Sequence, residues 1–152
     1  MHNGKVNIQI FCCATSYDQA EIARVIDRRD IEMKVILIPC SGKLDILYLT
    51  KAFETGADGA VVMICREGEC RYLEGNLRAM KRVGAVEQLL RETGLGKERV
   101  AFIQMDEGGV IKAIHELGVF CRRIKESAAK VTTAETAATA SAPAVTAAFT
   151  TS

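Results

Sequence analysis

Four short apolar segments alternate with longer segments of helical periodicity, and this alternation constrains the fold more than any other feature of the chain. The apolar segments span residues 6–11, 35–38, 60–64 and 100–105. The second and third are almost continuously apolar, which is typical of strands buried on both faces of a sheet. The order βαβαβαβα, with short connections, predicts an α/β fold in which helices cover both faces of a parallel sheet.

The topology that we expect is flavodoxin-like, with four parallel strands in the order 2-1-3-4. Apolar residues at intervals of three and four indicate the inner faces of the helices. We expect these inner positions to be Leu47, Leu49, Ala52 and Phe53 in the second helix, Leu73, Leu77, Met80, Val83, Val86 and Leu90 in the third, and Val110, Ile111, Ile114, Leu117, Cys121 and Ile124 in the fourth.

The composition indicates one globular domain followed by a tail. The chain has 152 residues, of which 49% are hydrophobic and 26% charged. These values are typical of a globular protein, and the length allows a proper core. From residue 127 onward the sequence is mostly Ala, Thr and Ser. We therefore expect a domain over residues 1–126 and a disordered Ala/Thr-rich tail over residues 127–152.

Charge and hydropathy exclude several classes of function. The formal net charge is +1, which gives no electrostatic basis for binding nucleic acid or an anionic membrane. The longest apolar runs have the length of strands and are too short to span a bilayer. Because the chain opens directly into a strand pattern, we expect no signal peptide and a cytoplasmic location.

Five of the six cysteines lie where predicted strands end. Cys12 and Cys13 close the first strand, Cys40 follows the second, Cys65 follows the third, and Cys70 lies in the loop beyond it. Ligands of parallel sheets bind outside the carboxyl ends of the strands, so we expect these thiols to share one edge. In a reducing compartment such a set indicates metal binding or redox chemistry rather than disulfides. The sixth cysteine, on an inner helical face, is interpreted as a small hydrophobic residue.

Two kinds of thiolate-bound centre are compatible with these cysteines. Zinc and iron–sulfur clusters are both held by four cysteines. Zinc sites usually contain closely spaced cysteine pairs, whereas this chain has a C-x4-C step and single cysteines from separate strands. The spacing favours an iron–sulfur cluster, and a zinc-binding interaction domain remains an alternative.

An enzyme is a second alternative. Cys65 and Arg71 form a C-x5-R pattern at a strand-to-helix turn, the layout of small tyrosine phosphatases and arsenate reductases, with Cys65 as the nucleophile. In such loops, backbone N–H groups and the arginine bind an oxyanion. Glu67 and Glu69 argue against this interpretation, because they place negative charge where the anion would bind.

The motifs Phe11-Cys12-Cys13, Cys40-Ser41-Gly42-Lys43-Leu44-Asp45 and Tyr72-Leu73-Glu74-Gly75-Asn76 resemble those of a known family. The chain is similar, from about residue 6 to residue 125, to the iron–sulfur (delta) subunit of methyl-viologen-reducing hydrogenase. The same module occurs fused to or beside the A-type subunit of heterodisulfide reductase. The resemblance implies a [2Fe-2S] cluster and non-catalytic electron transfer between a hydrogenase, or another electron-donating module, and the flavin-containing heterodisulfide reductase subunit.

The resemblance also bears on the cluster ligands. The family usually has a third cysteine shortly after the first pair, and here residues 12–17 are one residue shorter and lack that thiol. Five cysteines remain at the edge. Adjacent residues of a strand point to opposite faces, so the first strand is expected to supply one ligand. The expected set is Cys13, Cys40, Cys65 and Cys70, with Cys12 as the alternative to Cys13.

Residues at the start of the third helix have two interpretations. Tyr72, Glu74 and Asn76 follow directly after the C-x4-C step. They are interpreted either as a surface on which a partner docks or as a simple helix cap.

Overall fold

One parallel sheet forms the centre of the molecule. The structure, a computed structural model, describes residues 4–25, 29–96 and 98–140, without the side chains of residues 25 and 131–140. The sheet has the order β2-β1-β3-β4, and its three strand pairs are parallel. The strands are β1 (Val6–Cys13), β2 (Ile31–Ile38), β3 (Gly59–Ile64) and β4 (Val100–Gln104). The α/β fold and the strand order predicted from the sequence are confirmed.

Among the residues that the structure describes, four α-helices connect and follow the strands. They are α1 (Gln19–Val25), α2 (Ile46–Glu54), α3 (Gly75–Glu92) and α4 (Gly109–Ala140), and a short 3-10 turn (Ser41–Lys43) lies between β2 and α2. Helix α4 continues past residue 126 into the first part of the expected tail, whose residues 141–152 lie outside the described residues. The boundary of the domain stays a prediction. Within the described part of the chain, no helix is long and apolar enough to cross a membrane.

Apolar layers cover both faces of the sheet. On one face, Ile8, Ile10, Cys12 and Met63 share a buried cluster with residues of α1 and α4. On the other face, the side chains of Phe11, Val62 and Ile64 belong to a cluster with residues of α2 and α3. All six residues of β3 are buried, which explains why this strand is continuously apolar in sequence. Because both faces carry packed helices, we expect a functional site at the carboxyl edge of the sheet, where the strands end.

Some of the inner positions expected from periodicity are wrong, because Leu47, Leu73, Leu77 and Ile111 are exposed. Phe53 and Met80 are partly buried and pack against the core as expected, and Val110 is partly buried. Leu73 precedes α3 and has a left-handed backbone conformation (φ 65°), so it does not belong to the helical stripe. The inner face of α3 begins instead with Gly75, Asn76 and Ala79. These small or polar residues allow the start of α3 to approach the turn that carries Cys40.

Candidate metal centre

Four thiols lie at the carboxyl edge of the sheet. Cys13 is the last residue of β1, and Cys40 directly precedes the 3-10 turn that follows β2. Cys65 follows β3 immediately, and Cys70 lies in the loop between β3 and α3. All four side chains are buried, with exposed fractions between 2% and 8%. The edge therefore places cysteines from three separate βα connections in one enclosed region.

The sulfurs of Cys40 and Cys70 both lie beside Gly75, the first residue of α3, where a side chain would begin. A Cβ atom at Gly75 would overlap Cys40 Sγ and would lie 3.1 Å from Cys70 Sγ. A Cβ atom at Gly42 would lie 2.5 Å from the Cα of Gly75. The contact of a Gly75 Cβ with Cys40 Sγ and that of a Gly42 Cβ with the Gly75 Cα are both shorter than real Cβ atoms show. Only glycine therefore fits at positions 42 and 75. The two glycines make room for the two sulfurs.

Backbone N–H groups point to the same two sulfurs. The N–H of Gly42 donates to Cys40 Sγ at 3.3 Å. Burial by itself disfavours a Cys70 thiolate, but hydrogen bonds from backbone N–H groups lower the pKa of Cys70 below its ordinary value. The donors to Cys70 are those of Tyr72, Asn76 and Gly75. Such donors stabilise negative charge on sulfur, which is the form that binds a metal.

The other thiols are affected by burial and by one another. Burial, with a smaller contribution from the neighbouring Cys13 and Cys70, raises the pKa of Cys65 to about 12. Burial also raises the pKa of Cys40; the Gly42 N–H opposes this, and Cys70 and Cys13 add to it. The four thiols are thus close enough for their negative charges to repel, a repulsion that a bound cation would relieve.

Cys12 lies in a different environment from Cys13. Both belong to the apolar cluster of the α1/α4 face, but the Sγ of Cys12 donates to the thioether of Met63 at 3.7 Å. Burial raises its pKa to about 12, with a smaller contribution from Cys13. Cys13 instead contacts Thr15 Oγ1 at 3.0 Å and interacts with Cys40 and Cys65. The structure brings Cys13, rather than Cys12, together with the other thiols of the edge, and the ligand assignment itself stays a prediction.

The donor set fits a thiolate-bound centre. Among the described residues, no three His, Cys, Asp or Glu side chains form a group able to hold one metal ion. The thiol of Cys70 interacts with those of both Cys40 and Cys65, and Cys13 acts on the same two thiols. The region also contains the two glycines that make room for the sulfurs, Gly42 and Gly75, and N–H donors to sulfur. Among the side chains described, it contains one buried hydroxyl without a partner, Ser41 Oγ. These features match the sulfur ligands and the hydrogen bonds that iron–sulfur clusters require.

Long-range hydrogen bonds that sequence patterns do not reveal support this region. Arg82 Nη1, on α3, donates to the carbonyl oxygens of Gly42 at 2.6 Å and Leu44 at 2.7 Å. The buried Tyr17 hydroxyl donates to the carbonyl oxygen of Ile64 at 2.9 Å. The Arg82 bonds tie α3 to the segment that follows β2, and the Tyr17 bond ties the β1–α1 connection to the end of β3. The approach of distant segments creates these contacts, so no local spacing in the sequence could have indicated them.

Asn76 fixes the loop that carries Cys70. Its side chain is buried, Nδ2 donates to the carbonyl oxygen of Arg66 at 3.2 Å, and Oδ1 accepts from the N–H of Leu77 at 2.9 Å. The interpretation of Asn76 as part of a docking surface is therefore wrong, whereas Tyr72 and Glu74 are exposed. The cap interpretation is correct in part, because Asn76 satisfies the N–H of Leu77 in the first turn of α3.

The C-x5-R loop lacks the properties of an oxyanion cradle. A nucleophilic cysteine needs a lowered pKa, whereas burial, together with Cys13 and Cys70, raises that of Cys65. The arginine of the pattern, Arg71, is exposed. The neighbouring Arg66 is paired with Glu69 at 3.7 Å and Glu107 at 3.3 Å, which adds two carboxylates to this side of the loop. The geometry does not favour a phosphatase or an arsenate reductase.

Comparison with known proteins identifies relatives over the same region. Residues 8–128 match the family described as methyl-viologen-reducing hydrogenase, delta subunit. The D-type iron-sulfur subunit of F420-non-reducing hydrogenase vhu from Methanocaldococcus jannaschii is 33% identical over 118 residues, which cover 76% of this chain and 88% of that protein. The protein of the same name from Methanococcus maripaludis is 34% identical over 110 residues, 70% of this chain and 82% of its own length.

A larger protein contains a similar segment. The A-type subunit of ferredoxin/F420H2-dependent CoB-CoM heterodisulfide reductase from Methanosarcina acetivorans is 28% identical over 116 residues, which are 76% of this chain but 14% of that protein. The family match runs from β1 into α4 and includes every cysteine of the carboxyl edge. The chain belongs to the family of the methyl-viologen-reducing hydrogenase delta subunit.

Proposed function

We propose that this chain is an electron-transfer subunit that holds one [2Fe-2S] cluster on Cys13, Cys40, Cys65 and Cys70. The observation that carries the proposal is the packing of the Cys40 and Cys70 sulfurs around Gly75, with backbone N–H groups donating to both. When bound, such a cluster accepts and releases one electron at a time. The proposal assigns no substrate chemistry to the chain.

The origin of the thiols in separate segments supports a two-iron cluster over zinc. Structural zinc sites usually contain closely spaced cysteine pairs around one ion, whereas a [2Fe-2S] cluster distributes four cysteines over two irons. Cys13, Cys40 and the Cys65–Cys70 loop come from three separate βα connections. The thiols of Cys70 and Cys13 each act on those of Cys40 and Cys65.

The chain's own residues stabilise charge and exclude water. The N–H groups of Gly42 and of the first residues around α3 favour negative charge on the ligand sulfurs. Burial of all four side chains keeps water from these sulfurs. Both properties influence a reduction potential, since hydrogen bonds to sulfur and solvent exposure are two of the factors that set it.

The proposed partners are a hydrogenase or another electron-donating module and the flavin-containing A-type subunit of heterodisulfide reductase, in the cytoplasm. The names of the Methanocaldococcus and Methanosarcina relatives support this pairing. In the Methanosarcina protein the similar segment is part of the A-type subunit itself.

We place the contact with the A-type subunit at Tyr72 and Leu73, which are 54% and 86% exposed and follow Cys70 in the chain. Leu73 is held outward in a left-handed backbone conformation. An apolar side chain that is both strained in its backbone and exposed to solvent is typical of a contact surface.

Rapid mixing of the full chain with the A-type subunit tests the proposal. The chain is produced anaerobically with iron and sulfide, reduced, and mixed with the oxidised flavoprotein, and flavin absorbance is followed. We expect flavin reduction by the chain, none by Cys65→Ser, and a normal rate for Cys121→Ser. Leu73→Ser should weaken the reaction, whereas Leu95→Ser, which replaces another exposed leucine beyond α3, should leave it unchanged. A loaded, reduced chain that transfers no electrons to the flavoprotein would contradict the proposed function.

A further inference from the structure

One buried side chain in the carboxyl edge has no partner. Ser41 is fully buried, and among the residues whose side chains are described its Oγ is the one buried side-chain nitrogen or oxygen without a hydrogen bond. Buried polar groups in folded proteins are almost always hydrogen-bonded, and leaving one unpaired costs stability. A single exception therefore requires an explanation.

The position of Ser41 connects it to the thiols. It lies between Cys40 and Gly42, the residue whose N–H donates to the Cys40 sulfur. The 3-10 turn that begins with Ser41 contacts the start of α3, β1 and β3, the elements that supply or flank the other cysteines. The carbonyl oxygen of Ser41 already accepts the N–H of Leu44 at 3.1 Å. The hydroxyl is thus an unused polar group beside the proposed ligands.

The surrounding polar groups are paired, so the missing partner does not reflect loose packing. The Tyr17 hydroxyl donates to Ile64, and the side chain of Asn76 makes two hydrogen bonds. The hydroxyl of Thr15 contacts the Cys13 sulfur. In this region the other polar groups named are paired and one hydroxyl is not. Such an arrangement is expected of a protein that keeps a hydrogen-bond donor for a bound group.

We infer that the Ser41 hydroxyl donates a hydrogen bond to a sulfur atom of the proposed cluster or of its cysteine ligands, and thereby raises the reduction potential. The inference rests on the proposed function. Reduction adds negative charge to the sulfurs, so a donor stabilises the reduced form more than the oxidised form. Ser41 is accordingly a positioning and tuning residue rather than a ligand.

A redox titration of the loaded full chain, monitored by EPR, tests this inference. In Ser41→Ala we expect the ratio of reduced to oxidised cluster at a fixed potential to fall about tenfold, which is a shift of ~59 mV for a one-electron couple. Ser16→Ala, which removes a hydroxyl from the β1–α1 turn at the same edge, serves as the control and should leave the potential unchanged. Equal potentials for the wild type and Ser41→Ala would overturn the inference.

Two further measurements separate tuning from a structural role. Pulsed EPR in H2O and D2O should detect exchangeable protons coupled to the cluster in the wild type, including those of the backbone N–H donors, and one of these couplings should be absent in Ser41→Ala. Without iron, Ser41→Ala should unfold at the same temperature as the wild type or higher, because the hydroxyl has no protein partner to lose. A less stable iron-free variant, or an unchanged set of exchangeable-proton couplings, would overturn the inference. If the wild type itself binds no iron and sulfide, the proposed function fails first.

Discussion

The buried cysteines of this protein occupy two regions of one apolar cluster, and the regions differ in the polar groups beside the sulfurs. Cys12 contacts the thioether of Met63 and Cys121 lies on α4, and burial raises their pKa to about 12 and about 11. At the carboxyl edge burial also raises the pKa of Cys65, but the Gly42 N–H donates to Cys40, and backbone N–H groups outweigh burial and lower the pKa of Cys70. Donors beside a buried sulfur favour the thiolate, which is the form that binds a metal.

The largest effect is expected when one cysteine is replaced in each region. Cys70→Ser removes the sulfur that interacts with both Cys40 and Cys65, so we expect almost complete loss of bound iron and of visible absorbance. Cys121→Ser should retain both, although a buried hydroxyl in an apolar site lowers stability by about 1–3 kcal/mol. Iron content after anaerobic reconstitution measures the difference. Equal iron in the two variants would abolish the distinction between the regions.

Glycine replacements on α3 provide the second comparison. Gly75→Ala forces a methyl group against the Cys40 and Cys70 sulfurs, so we expect loss of the cluster and a lower free energy of unfolding by about 1–3 kcal/mol. Gly84, in the same helix, has nothing within 4 Å of an added Cβ. Gly84→Ala should stabilise the protein by up to about 1 kcal/mol through helix propensity. Chemical denaturation of both variants measures these changes in the free energy of unfolding. A Gly75→Ala variant with normal iron content would show that Gly75 is not needed to make room for the sulfurs.

Arginine replacements on α3 form the third comparison. Arg82→Met removes both hydrogen bonds to the turn that carries Cys40, and we expect it to lower the free energy of unfolding by about 1–3 kcal/mol. Arg78→Met, one turn earlier at an exposed position, should change it by less than about 0.5 kcal/mol. Denaturant titration of the iron-free proteins gives both values. Equal losses would mean that Arg82 does not hold the turn.

The smallest effect concerns alkaline pH and the apolar region. Because the pKa of Cys121 in the folded chain is raised by burial to about 11, the neutral thiol stabilises the fold below the ordinary thiol pKa of about 8.5. This stabilisation is lost as the pH rises through about 11. Cys121→Ala removes one such group, so its free energy of unfolding should fall less steeply with pH, by at most about 1.4 kcal/mol per pH unit. Identical slopes in urea titrations between about pH 8.5 and 11 would contradict the assigned environment.

The sequence predicts the fold and the clustering of the cysteines well, for a simple physical reason. The carboxyl ends of parallel strands meet at one edge, so residues that end strands in sequence become neighbours in space. Continuous apolarity correctly indicated that β3 is buried on both faces, but the same expectation for β2 is wrong. β2 lies at the edge of the sheet, where Leu37 is 42% exposed and its apolar neighbours are only partly buried. These inferences depend only on strand period and topology, which local sequence determines.

The details of the site could not be predicted, because they depend on contacts between distant segments. Periodicity placed Leu73 inside α3, whereas the chain turns through a left-handed conformation there and exposes it. The close approach of Gly42 and Gly75, and the bonds from Arg82, arise only after α3 packs on the turn beyond β2. Neither leaves a periodic signal. The preference for Cys13 over Cys12 likewise rests on neighbours that only the folded chain defines.

Iron and acid-labile sulfide analysis, combined with EPR of the reduced protein, tests the central claim most directly. The full chain, purified anaerobically and reconstituted, should contain about two irons and about two sulfides, and reduction should produce a single EPR signal from one unpaired electron. The signal should vanish in Cys70→Ser and persist in Cys121→Ser. Stoichiometric zinc, or a reconstituted chain without iron and sulfide, would contradict the assignment of the carboxyl edge as a cluster site.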